Sequence, residues 1–67
     1  MLAQWTAEIV GQMHLYGISH KELASEVGIH PKYLSLILNG HRDPKNGEER
    51  IRAAMAKLIQ EHEEEAV

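Results

Sequence analysis

The twenty-one residues from His20 to Gly40, HKELASEVGIHPKYLSLILNG, constrain the fold more than any other feature of the chain. Ser19-His20-Lys21-Glu22 has the form of a capping box, in which the Ser hydroxyl covers a free first-turn amide and the Glu reaches back. The helix it opens points Leu23, Ala24 and Val27 inward and stops at Gly28. His30 then stands at a cap position and Pro31 at the first helical position, where its missing N–H costs nothing. A second helix to about Asn39 presents Leu34, Ile37 and Leu38, with Gly40 as its stop. Two short helices cross closely only if the first turns a small side chain toward the second, and Ala24 supplies it. The chain must also turn sharply after Val27, which a left-handed Gly28 allows without steric penalty. Leu23, Val27, Ile29, Leu34 and Ile37 fall where a shared core needs them, so the stretch reads as a helix-turn-helix.

Helical periodicity extends to both sides, and no segment alternates as a half-buried strand does. Trp5, Ile9, Met13 and Tyr16, with Leu2 and Val10 alongside, predict a helix over 2–16 closed by Gly17. His41 to Gly47 contains no apolar residue and reads as an exposed loop. Asn46 with Glu49 offers a cap for a last helix, although Asp43-Pro44 is an earlier start. That helix carries Ile51, Ala54, Met55, Leu58 and Ile59 on one stripe. Its Glu-rich end opposes the helix dipole, so fraying is expected after about residue 62. The expectation is an all-α bundle of four helices, or five, over 1–62, with an acidic tail over 63–67.

At 67 residues the chain makes one domain, which hides only about 60% of its unfolded surface. There is no cysteine, hence no disulfide, thiolate metal site or cysteine nucleophile. No segment reaches the roughly 20 apolar residues of a membrane span, and the N-terminus lacks a signal-peptide pattern. The expected setting is cytoplasmic. The net charge of −3 argues mildly against nucleic acid, but the average hides an asymmetry. Glu61, Glu63, Glu64 and Glu65 crowd the last eight residues, whereas Lys32, Arg42 and Lys45 face only Asp43 across 28–46.

The residues Gly17-Ile18-Ser19, Glu22-Leu23-Ala24, Val27-Gly28-Ile29, Tyr33-Leu34-Ser35 and Asn39-Gly40 carry a further likeness. Over roughly 9–58 the chain resembles the lambda-repressor-like (Cro/cI, xenobiotic-response-element type) regulators of bacteria and phages. The resemblance implies a lambda-repressor-like bundle whose third helix enters the DNA major groove while the second lies across the backbone. It places base readout at Pro31, Lys32, Tyr33 and Leu36, and backbone contacts at Ser19, His20, His30, Ser35, Asn39, His41, Arg42 and Lys45. The family often has Gln where Pro31 and Leu36 stand; here Leu36 would meet thymine methyls and Lys32 would reach guanine O6 or N7. Many members also bury an Arg–Glu pair where this chain has Met13 and Leu38, a double exchange that is physically tolerable.

Each signal has a plainer reading. Lys32 is also a solvated lysine, Tyr33 a partial core filler and Leu36 a dimer contact. No two of the five histidines have the i, i+4 spacing of a helical metal site, and His14 and His62 read as ordinary surface residues. No cofactor, metal or small-molecule ligand is expected, and no catalytic constellation can be assembled. The expected function is a sequence-specific double-stranded DNA-binding transcriptional regulator, a repressor of phage or mobile-element type, acting as a homodimer on a two-fold operator. No separate sensor domain is expected at this length. The alternative is an antitoxin-like protein that binds a partner protein through the Ile51–Ile59 stripe, with DNA binding secondary. A helix-turn-helix kept only as a protein scaffold is a further alternative.

Overall fold

The helical periodicities are realised as four helices, and the computed structural model describes residues 3–65. In chain order they are α1 (Gln4–Tyr16), α2 (His20–Val27), α3 (Pro31–Leu38) and α4 (Gly47–Glu65), with no strand among the described residues. Leu2 lies outside those residues. The protein is an all-α four-helix bundle, in which α2 packs on α3 and α4 while α1 closes over α3 and α4.

Local chemistry sets the helix ends. The Glu22 N–H donates to Ser19 Oγ at 3.0 Å and the Lys32 N–H donates to His30 Nδ1 at 3.0 Å, so both side-chain acceptors cap their helices, but the Glu22 carboxylate does not reach back to Ser19 as a full capping box requires. Gly28 takes φ 92, a left-handed backbone that a Cβ would strain, and this lets the Ile29 N–H return to the Ala24 carbonyl at 3.0 Å. After α3 the Gly40 N–H reaches Ile37 O at 3.1 Å and the His41 N–H reaches Leu36 O at 2.8 Å. That paired arrangement satisfies two orphan carbonyls and ends the helix sharply. At the start of α4 an added Cβ on Gly47 would sit 2.9 Å from Pro44 Cγ, which explains the glycine there.

The core joins Ile9, Met13, Ile18, Leu23, Ala24, Leu34, Ile37, Leu38, Ile51, Ala54, Met55 and Leu58. Ala24 is 1% exposed, in keeping with its role at the α2–α3 crossing. Each of the fully buried Ile9, Leu23, Leu34, Ile51 and Met55 contributes about 1.5–3 kcal/mol relative to exposure. Truncating one, as in Leu34→Ala, would cost about 2–5 kcal/mol, a large share of a small domain's stability.

Several expectations need correction. Helix α1 begins at Gln4, after an extended Ala3, and Val10 is 44% exposed instead of lying beside the buried face. Thr6 takes a buried place, made tolerable by its hydroxyl donating to Ala3 O at 2.7 Å. Helix α4 starts at Gly47, later than Asp43-Pro44 would give, and extends through Glu65. Asn46 stands before it at φ 63, a left-handed conformation unlike the extended one of a cap, and its carbonyl accepts the Arg50 N–H at 3.0 Å.

Polar contacts fasten α4 to the other helices. Arg52 donates to Glu48 at 2.8 Å and to Glu8 of α1 at 2.9 Å. The hydrogen bonds to Glu48, then Glu8, hold its guanidinium pKa above the ordinary value. Lys57 pairs with Glu26 of α2 at 3.2 Å. His62, expected at an ordinary surface position, instead donates from Nε2 to the Glu22 carboxylate at 2.9 Å.

Candidate nucleic-acid interface

The two faces of α3 are sharply divided. Leu34, Ile37 and Leu38 are buried, which turns Lys32, Ser35, Leu36 and Asn39 outward at spacings of three, four and seven. Lys32 and Asn39 are exposed; Ser35 and Leu36 are half-buried. The stripe thus presents one cation, one hydroxyl, one amide and one aliphatic surface. Three buried side chains and closed hydrogen bonds at both ends fix it to a rigid support.

Pro31 sits half-buried at the first position of α3 and has no side-chain group able to hydrogen-bond. Tyr33 lies on the flank at 36% exposure and lines a cavity of about 100 Å³ with Val27, Ile29, Ile37, Lys45 and Arg50. His30 is exposed, but its Nδ1 is engaged as acceptor for the helix. The ring must carry its hydrogen on Nε2, which leaves a neutral donor at the surface.

The remaining predicted positions fall into two groups. Ser19 and His20 are exposed at the start of α2 and border a groove of about 350 Å³ with Val10 and His14 of α1. His41, Arg42 and Lys45 are exposed in the loop after α3. The Arg42 N–H approaches Leu36 O at 3.3 Å, and its Nη1 donates to the His41 carbonyl at 3.1 Å, which holds this loop against the end of α3. Asn39 is turned back on its own helix: Nδ2 donates to the Ser35 carbonyl at 2.9 Å and to Ser35 Oγ at 3.2 Å.

Arg50 was not among the predicted residues. It donates from Nη2 to the Val27 carbonyl at 3.2 Å and shares the cavity with Tyr33 and Lys45, so it ties α4 to the turn between α2 and α3. A signal was present: a cation in the first turn of α4 opposes the helix dipole and calls for a partner elsewhere. Among the described residues no group of three or more His, Cys, Asp or Glu side chains is placed to hold a metal. Among them, too, no helix is long and apolar enough to cross a membrane.

A short capped helix, a glycine turn and a second helix with one free polar stripe define a helix-turn-helix module within a helical bundle. Residues 15–48, just over half of the chain, match the helix-turn-helix family, and the protein belongs to this family of DNA-binding domains. Such domains bind rather than catalyse. No curated protein and no solved structure matches the chain.

Proposed function

We propose that the protein is a sequence-specific regulator of transcription that binds double-stranded DNA, of the lambda-repressor-like kind, and acts as a repressor of phage or mobile-element type. The observation that carries this reading is the outward stripe of α3, Lys32, Ser35, Leu36 and Asn39, opposite the buried Leu34, Ile37 and Leu38. A helix anchored on one face and free on the other is what the major groove admits. Lys32, at the N-terminal end, reaches guanine O6 or N7, and Leu36 covers thymine methyls. Tyr33 and Pro31 border the same groove. Ser19, His20, His30, Ser35, His41, Arg42 and Lys45 belong to the phosphate-facing set.

The antitoxin-like reading is weaker on this structure. The stripe assigned to a partner protein is spent inside the bundle, with Ile51, Ala54, Met55 and Leu58 all buried. One helix-turn-helix reads few base pairs, so two copies are expected on a two-fold site with half-sites about 34–36 Å apart. Selection from a random duplex pool tests the reading. Enrichment of a palindromic site supports it; a pool that stays unenriched contradicts it.

A further inference from the structure

Ser35 and Asn39 make a coupled pair on the outward face of α3, and their chemistry separates two roles. The Ser35 carbonyl can only accept, so the Asn39 atom 2.9 Å from it must be the amide nitrogen. The same nitrogen donates to Ser35 Oγ at 3.2 Å. With Nδ2 turned to the helix, the group Asn39 presents outward is Oδ1, an acceptor, which a phosphate oxygen would repel. Ser35 shows the opposite balance. Its Oγ accepts from Asn39, so its own hydrogen points away from that residue. A serine within a helix can give this hydrogen to the carbonyl four residues back or turn it outward. Ser35 makes no such bond, and its hydroxyl hydrogen has no acceptor among the described residues.

We propose that the Ser35 hydroxyl donates to a DNA phosphate oxygen and that Asn39 is the positioning residue that aims it. The inference rests on the duplex-binding reading above. Ser35 lies one turn beyond Lys32 on the same face, in the C-terminal half of α3. In this motif the N-terminal residues of the second helix meet base edges. A short side chain further along is better placed for the backbone. The hydroxyl keeps one lone pair on Asn39 and gives its hydrogen to the anion, so each bond polarises the other. Asn39 thus leaves the set of direct contacts and acts through its neighbour.

The test is a double-mutant cycle read by fluorescence anisotropy on a selected duplex and on duplexes altered within the site. Parent, Ser35→Ala, Asn39→Ala, the double variant and Ser35→Thr are compared, with melting curves to confirm folding. Ser35→Ala should weaken binding about tenfold on every duplex alike, as a phosphate contact carries no base information. Asn39→Ala should weaken the parent but cost nothing further once Ser35 is Ala. Ser35→Thr, which keeps the hydroxyl, should bind within about twofold of the parent. Equal losses from Asn39→Ala in both backgrounds would overturn the proposal, because the Asn39 bond to the residue 35 carbonyl survives in Ser35→Ala. A loss at Ser35→Ala that depends on one base pair would overturn the phosphate assignment. A parent that binds no duplex removes the DNA reading as well, whereas binding with an additive cycle removes this proposal alone.

Discussion

Glu22 sends its carboxylate to His62 Nε2, 2.9 Å away and forty residues along the chain, rather than back to the Ser19 amide. Only half of the capping box is therefore made: Ser19 Oγ accepts the Glu22 N–H, and the Glu22 side chain joins α2 to the end of α4. The carboxylate has a choice between a local bond and one that clamps two helices. His62→Ala should destabilise the fold by about 0.5–1 kcal/mol in urea unfolding, the scale of a half-exposed polar contact. Glu22→Ala should not add to that loss when combined with it.

The same contact brings the acidic end of α4 to the first turn of α2, beside Ser19 and His20. Lys32 and the loop cations are thus better placed than the α2 N-terminus to lead the approach to DNA. Replacing Glu61, Glu63 and Glu64 by Gln should raise duplex affinity about threefold at low salt, with the gain shrinking as the Debye length falls from ~30 Å at 0.01 M to ~8 Å at 0.15 M. Anisotropy titrations across that range check it.

Met13 and Leu38 are 5% and 2% exposed and share one core. Met13→Arg or Leu38→Glu alone should cost about 3–5 kcal/mol, because each buries a charge without a partner. The double variant should unfold at a higher urea concentration than either single one. A double variant no more stable than the singles would show that the two positions do not compensate.

His30 caps α3 only through an unprotonated Nδ1. His30→Ala, which removes the acceptor, should lower stability in urea unfolding by about 0.5–2 kcal/mol, whereas His30→Asn, which keeps a capping side chain, should stay close to the parent.

The elements that were legible in the sequence are those decided by near neighbours. Ser19, Pro31, Gly28 and Gly40 act within four residues, and Leu34, Ile37 and Leu38 announce their face by period alone. Thr6 was illegible for the opposite reason: hydrophobic pattern alone does not mark a polar residue for burial, and only its bond to Ala3 makes the place tolerable. Glu22 and Arg50 found partners forty and twenty-three positions away, which depends on how helices dock rather than on local spacing. Val10 shows the limit of period counting, since the width of the α1 stripe is set by what covers it. At the interface, Lys32 and Leu36 were readable as outward positions. The turning of Asn39 onto Ser35 was not, because either residue alone suits a phosphate contact.

The most direct test of the DNA-reading face is the change in backbone amide chemical shifts when the labelled protein is titrated with its selected duplex. The account predicts the largest changes at Lys32, Tyr33, Ser35 and Leu36, smaller ones at Ser19, His20 and His41 to Lys45, and little at the outer face of α1. Shifts confined to α1 or to the C-terminal half of α4, with α3 unmoved, would contradict it.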